Sequence, residues 1–122
     1  MRQLRRAAAI AAVLALALTA SAAASGSLSG TWYTKVTNDG FLSGNYHISF
    51  SPGHFVIHGP FQLVGKGTYS ISGSRITLHG PGKCATPGVY QFKQSGSSLT
   101  FHKISDSCPR VSVLTQHALK KL

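Results

Sequence analysis

The chain has 122 residues and carries 12 Lys and Arg against 2 Asp and Glu, a formal net charge of +10. That length allows one domain. The two carboxylates, Asp39 and Asp106, argue against the paired acids that general acid–base or glycosidase chemistry needs.

The first two dozen residues have the pattern of a secretory signal. Three arginines precede an apolar run of twelve residues, too short to span a bilayer, and TASAAAS supplies the small residues that a signal peptidase reads. We predict a signal peptide over residues 1–24 and a folded domain over residues 25–122, secreted or held in the cell envelope without a membrane span. Without the three arginines, nine basic residues face two acids, a net charge of about +7.

A first strand is predicted over residues 31–37, TWYTKVT, which includes the only tryptophan, Trp32. Three similar segments follow, residues 44–58, 67–79 and 88–102. Each begins Gly-x-Tyr-x-Ile/Phe, turns at a glycine and ends in histidine. Period-2 alternation of apolar residues on both sides of a tight turn is typical of a β-hairpin.

In each hairpin one register places the apolar side chains on one face. The predicted turns are centred on residues 52–53, 73–74 and 95–96, and the first, Pro-Gly, suits a type II turn or a looser loop better than the primed turns of hairpins. The predicted pairs next to the turns are Phe50 with Phe55, Ile71 with Ile76, and Phe92 with Leu99. The predicted inward side chains are Trp32, Tyr46, Ile48, Phe50, Phe55, Ile57, Tyr69, Ile71, Ile76, Leu78, Tyr90, Phe92, Leu99 and Phe101.

The last strand is predicted over residues 110–115, RVSVLT, and QHALKKL forms a terminal turn. Residues 59–65 form an extra strand or a packed loop. Eight short antiparallel strands in up-and-down order close into a barrel in which the first strand pairs with the last. We therefore predict an all-β, monomeric, small eight-stranded antiparallel barrel, with a two-sheet sandwich as the alternative.

Cys84 and Cys108 are the only cysteines. An even pair in an exported chain favours a disulfide, which should stabilise by about 3 to 4 kcal/mol on the chain-entropy model. Free thiols or a metal pair are the alternatives, but no CxxC spacing or Cys/His cluster accompanies the two residues.

The motif Gly30-Thr31-Trp32, followed by an antiparallel meander and a basic residue near the last strand, resembles the lipocalin family and the wider calycin superfamily. That resemblance implies that Trp32 closes one end of the barrel and that Arg110 packs across its indole ring as a cation–π contact. The later hairpins, with a Cys after one of them and Cys-Pro before the final strand, are similar to small lipocalin-like proteins encoded widely in bacteria. Avidin-like barrels also open on GTWY, but their biotin site uses further tryptophans that this chain lacks.

Function is predicted from the shape of such a barrel, which encloses either a filled core or a cavity for one small ligand. We predict that the protein binds a small apolar molecule at the end opposite Trp32, beneath the loop NDGFLSG, where Phe41 and Leu42 form an apolar tip. The alternative is a non-catalytic envelope module, inhibitor-like or polyanion-binding, because a basic surface attracts anionic polymers and acidic proteins. Beyond the predicted signal peptide the charges are spread singly along the chain, apart from Lys120 and Lys121, and such spacing is typical of a solvated coat.

No enzymatic activity, cofactor or nucleic-acid partner is predicted. The chain contains no nucleophile-elbow, phosphate-loop or dinucleotide motif, and its aromatic residues are predicted to point inward rather than to alternate with basic residues outside. The predicted register places His47 opposite His58 on the polar face, as candidate metal ligands. Two imidazoles alone form a weak, open site, so we predict exposed sheet histidines and no metal.

Overall fold

The computed structural model describes residues 28–62 and 64–122, so the predicted signal peptide over residues 1–24 lies outside the described residues. Eight antiparallel strands close into one barrel in chain order, which confirms the predicted all-β up-and-down architecture over the two-sheet sandwich. The strands are β1 (Gly30–Val36), β2 (Gly44–Ser51), β3 (His54–His58), β4 (Val64–Ser72), β5 (Arg75–His79), β6 (Gly88–Ser95), β7 (Ser98–Ser105) and β8 (Leu119–Lys121).

The connections differ at the two ends of the barrel. Tight turns after β2, β4 and β6 form what we call the turn end. The other end, which we call the loop end, carries longer connections that include 3₁₀ turns at Gly40–Leu42, Pro60–Gln62 and Gly82–Cys84 and one helix, α1 (Arg110–Thr115). No helix in the described part of the chain is long and apolar enough to cross a membrane.

The first two predicted hairpin registers are confirmed. The third is wrong, because its turn lies one residue further along the chain than predicted. Phe92 lies opposite Phe101 rather than Leu99, because the turn is centred on Gly96 and Ser97. Gly96 has a φ of 57°, and a hairpin turn that begins on a positive φ favours glycine at its first position. Since the partners shift by two residues, every side chain keeps its predicted face.

The predicted last strand over residues 110–115 is wrong, because that segment is the helix α1. Its buried residues are Arg110, Val113 and Leu114, the i, i+3, i+4 spacing of a helix face rather than the alternation of a strand. Strand β8 comes instead from the C-terminal segment predicted to be a turn. It pairs with β1 through Tyr33 and Lys120, so the first strand does meet the last.

The core extends through the barrel, from Phe50 and Leu99 near the turn end to Val36, Leu78 and Leu114 near the loop end. All predicted inward side chains are buried except Ile71 and Phe92, which are half-buried and pack against the core. Trp32 is 0% exposed, and its Nε1–H donates to the carbonyl oxygen of Ser29 at 3.3 Å. The Tyr69 hydroxyl lies 2.9 Å from the carbonyl oxygen of Leu28. These contacts fasten the chain that enters β1 across the turn end.

Candidate functional site

Strand β4 lacks inward side chains over its first half. The alternation that turns Tyr69 into the core places Gly65 and Gly67 at the preceding inward positions, opposite Ile57 and Phe55 of β3. A methyl group added at Gly65 would lie 3.6 Å from the nearest atom of Ile57, so space remains there, whereas at Gly67 the carbonyl oxygen of His79 occupies the place of a side chain.

A pocket of about 530 Å³ opens at this place towards the loop end, a volume within the range of small-molecule sites. We call it the mouth pocket. Its lining is predominantly apolar and includes Tyr46 and Ile57 from the barrel wall, Leu42 from the first connection and Val113 from α1. A hollow thus lies beside β4 at the loop end, next to buried side chains of the core.

The structure places the two predicted ligand-binding residues differently. Leu42 lines the mouth pocket, and its carbonyl oxygen accepts a hydrogen bond of 2.6 Å from the Tyr46 hydroxyl. Phe41 is not among the lining residues and is 71% exposed. The hollow therefore lies beneath the predicted loop, with one of the two predicted residues on its wall.

The disulfide Cys84–Cys108 is present, with the two Cα atoms 5.0 Å apart. It joins the 3₁₀ turn after β5 to the segment that enters α1, and both cysteines line the mouth pocket. The covalent link therefore fixes the distance between two sides of the pocket rim.

A buried ion pair supports the same rim. Arg110 Nε donates to Asp106 Oδ2 at 2.7 Å, and the two side chains are 5% and 1% exposed. The Cys108 backbone N–H donates to Asp106 Oδ1 at 3.0 Å, and the Tyr90 hydroxyl donates to Oδ2. The carboxylate is thus held from α1, from its own turn and from β6.

Arg110 also connects α1 to the barrel wall. Its guanidinium lies 3.4 Å from the carbonyl oxygen of Leu78 and 3.5 Å from that of Thr86. Gly88 lies directly beneath the pair, where an added methyl group would collide with the Asp106 carboxylate. A residue without a side chain is therefore required at the start of β6.

The expected stacking of Arg110 on Trp32 is corrected by this geometry. Because residues 110–115 are a helix at the loop end, Arg110 reaches Asp106 and not the indole ring. The cation over Trp32 is Lys121 of β8, with Nζ 5.6 Å from the ring centroid. The residue opposite Trp32 on the true last strand thus takes the position that the resemblance assigns to arginine.

The surroundings of Asp106 shift two pKa values in opposite directions. Burial acts to raise the pKa of Asp106, but hydrogen bonds from Arg110, Tyr90 and the Cys108 N–H outweigh it and hold that pKa below its usual range. Burial and the adjacent carboxylate raise the pKa of the Tyr90 hydroxyl well above its ordinary value. Asp106 is therefore ionised and fully engaged, and is unsuited to act as a general acid or base.

The depressed pKa predicts acid lability. A carboxylate whose folded pKa lies below its unfolded value contributes stability that is complete above the unfolded pKa, about 4, and is lost as the pH falls through the folded pKa. We expect the free energy of unfolding, measured by urea titration, to decline below about pH 4 in the wild type.

Asp106→Asn should be less stable than the wild type at pH 7. Its free energy of unfolding should fall much less below about pH 4. The matched control is Asp39→Asn, which changes the only other acidic side chain and should keep the decline. An equal acid-dependent decline in the Asp106→Asn protein would show that the ion pair is not its cause.

The two candidate metal ligands lie where the register predicts. His47 is directly opposite His58, both side chains are exposed, and the Tyr33 ring lies 6.0 Å from that of His47. Within residues 28–62 and 64–122, no group of three His, Cys, Asp or Glu side chains is placed to hold a metal ion.

Comparisons of the chain with protein-family models, with curated proteins and with solved structures give no match. The barrel architecture consequently stands on the structure alone.

Proposed function

We propose that this domain binds a small, mainly apolar molecule in the mouth pocket and catalyses no reaction. The observation that carries the proposal is the inward position of Gly65 on β4, which contributes no side chain and lines about 530 Å³ of mainly apolar space at the loop end of the barrel. A concave, preformed and mostly apolar site is the usual form of a small-molecule site.

The rim of the pocket is built to keep its shape. The disulfide, the buried Arg110–Asp106 pair and the hydrogen bond from Tyr46 to the Leu42 carbonyl tie three separate connections to the barrel. A rigid cavity binds its ligand without paying for the ordering of loops. The same ion pair occupies the one buried carboxylate among the described residues, which favours binding over acid–base chemistry.

We further propose that the protein is a secreted, monomeric, lipocalin-like member of the calycin superfamily. The up-and-down order of eight strands and the burial of Trp32 at the turn end support the likeness. The disulfide supports export, because such bonds persist in oxidising compartments.

Filling the pocket from Gly65 tests the proposal. A Cβ built at Gly65 would lie 3.6 Å from the nearest atom of Ile57, an ordinary van der Waals contact, so Gly65→Ala fits without displacing a neighbour. The longer side chain of Gly65→Leu would extend into the mouth pocket that Gly65 lines. We expect the neutral fluorescent probe N-phenyl-1-naphthylamine to bind saturably to the wild type and to Gly65→Ala. Gly65→Leu should weaken that binding at least about tenfold, because its side chain occupies the site.

Thermal unfolding of the three proteins serves as the control, since a leucine that fills apolar space should not lower the melting temperature. Equal binding by Gly65→Leu would place the probe elsewhere. No saturable binding by the wild type would remove the proposal and favour the non-catalytic interaction module instead.

A further inference from the structure

The wall of the barrel is open on one side at the loop end. Strand β4 pairs with β3 from Val64 to Thr68, but with β5 only from Thr68 to Ser72. Strand β5 ends at His79, after which the Gly80 N–H turns away to the carbonyl oxygen of Cys84 at 3.1 Å. The first half of β4 therefore has a paired strand on one side only, among the described residues.

A second hollow, of about 490 Å³, lies at this opening. We call it the side cleft. It shares Phe55, Lys66 and Pro81 with the mouth pocket, so the two hollows adjoin through the gap between β4 and the chain that follows β5. Gly67 keeps this gap narrow at its base, because a methyl group there would collide with the carbonyl oxygen of His79.

Four of the residues that line the side cleft, His54, Lys66, Thr68 and His79, carry side-chain hydrogen-bond donors, beside apolar residues such as Phe55 and Val56. Thr68 is directly opposite both His54 of β3 and His79 of β5, and Lys66 is the next residue on the same outward face of β4. All four side chains are exposed. Because Cβ atoms of directly opposite residues lie about 5 Å apart, two imidazoles, one hydroxyl and one ammonium group share this part of the surface.

No acidic side chain among the described residues neutralises this group. The chain has only two carboxylates: Asp106 is bound to Arg110, and Asp39 lies in the first connection, outside the side cleft. A compact anion with several acceptor oxygens is the ligand that such donors fit, because charge-assisted hydrogen bonds are the strong ones.

We infer that the ligand is an anionic amphiphile whose apolar chain lies in the mouth pocket and whose headgroup leaves the barrel through this gap. The headgroup, a carboxylate or a phosphate, binds at Lys66 with Thr68, His54 and His79 around it. Lys66 holds the junction, since it lines both hollows. This inference rests on the proposed function, because it needs the mouth pocket to accept an apolar chain.

Competition against N-phenyl-1-naphthylamine tests the inference with four defined compounds: dodecyl phosphate, dodecanoate, dodecanol and inorganic phosphate. At low salt we expect the two anionic amphiphiles to displace the probe from the wild type at concentrations at least about tenfold below that of dodecanol. Lys66→Gln should remove most of this preference for the anionic compounds over dodecanol. Lys93→Gln, which changes an exposed lysine on β6, is the matched control and should keep the preference.

Inorganic phosphate distinguishes an amphiphile from a free anion. Calorimetric binding of inorganic phosphate as tight as that of dodecyl phosphate, without displacement of the probe, would overturn the inference. Equal displacement by dodecyl phosphate and dodecanol, or a preference that survives in Lys66→Gln, would overturn it as well. In each of these cases the proposed function would still be supported if the wild type binds the probe and Gly65→Leu does not. If the wild type does not bind the probe, both the proposed function and the present inference are removed.

Discussion

Trp32→Ala is expected to lower the free energy of unfolding by about 3 to 5 kcal/mol. The indole ring is 0% exposed, so its removal takes away a large buried surface and leaves a cavity at the turn end. The effect should reach beyond lost packing, because the closing pairing of β1 with β8 consists of Trp32 opposite Lys121 and Tyr33 opposite Lys120.

This change should be measured by urea unfolding followed by far-ultraviolet circular dichroism, since the variant has no tryptophan fluorescence. Tyr33→Ala is the matched control, because Tyr33 is the next residue of the same strand, half-buried, and hydrogen-bonded only to Asn45. It should cost less than about 1.5 kcal/mol. A loss of less than about 0.5 kcal/mol in Trp32→Ala would mean that the ring does not close the barrel.

Arg110→Met is expected to destabilise the domain by about 3 to 5 kcal/mol, because it leaves the Asp106 carboxylate buried without its counter-charge. The remaining partners of that carboxylate are the Tyr90 hydroxyl and the Cys108 N–H. The stability lost should therefore exceed what the shape change alone would produce, since methionine keeps much of the length of the arginine side chain.

A double-mutant cycle separates the charge from the packing. Asp106→Asn combined with Arg110→Met removes both charges, and we expect the double variant to be more stable than Arg110→Met alone. Strict additivity of the two losses at pH 7 would contradict a direct interaction between these side chains. Recovery should be incomplete, because Arg110 also contacts the carbonyl oxygens of Leu78 and Thr86.

The hairpins could be predicted because their signals are local. Alternation of apolar residues and a glycine in the turn determine face and register together, as the pairing of Ile71 with Ile76 shows. The position of the third turn was predicted wrongly because, in the sequence Ser-Gly-Ser-Ser, the glycine can occupy either of the two central turn positions. The choice between them depends on the sign of the backbone dihedral φ at each turn position. The alternation of apolar residues carries no information about that sign.

The chain beyond β7 could not be predicted in the same way. Val111 and Val113 alternate as in a strand, and only the burial of Leu114 beside Val113 identifies the helix face. Strand β8 has three residues, two of them lysines, so its sequence carries almost no alternation. Pairing with β1 and β7 determines that it is a strand, and such pairing is a property of the whole barrel.

The sequence predicted a site beneath the first connection, at the end of the barrel where the mouth pocket lies, but it did not predict why a pocket forms there. Leu42 could be identified as an apolar residue in a loop, whereas the pocket lies where Gly65 faces inward without a side chain. The alternation of apolar side chains does not show which glycines occupy inward positions of a strand. The Arg110–Asp106 pair did leave a signal, because the two residues are four apart and Asp106 is one of only two acids.

Methyl-resolved nuclear magnetic resonance with N-phenyl-1-naphthylamine tests most directly that this protein binds an apolar molecule in the mouth pocket. Saturable shifts are expected for the methyl signals of Ile57, Val113 and Leu42, which line the pocket. The signals of Ile76 and Leu99, fully buried in the filled part of the barrel and outside the pocket lining, should stay unchanged. Unchanged spectra at saturating probe, or shifts centred on Ile76 and Leu99, would contradict the account.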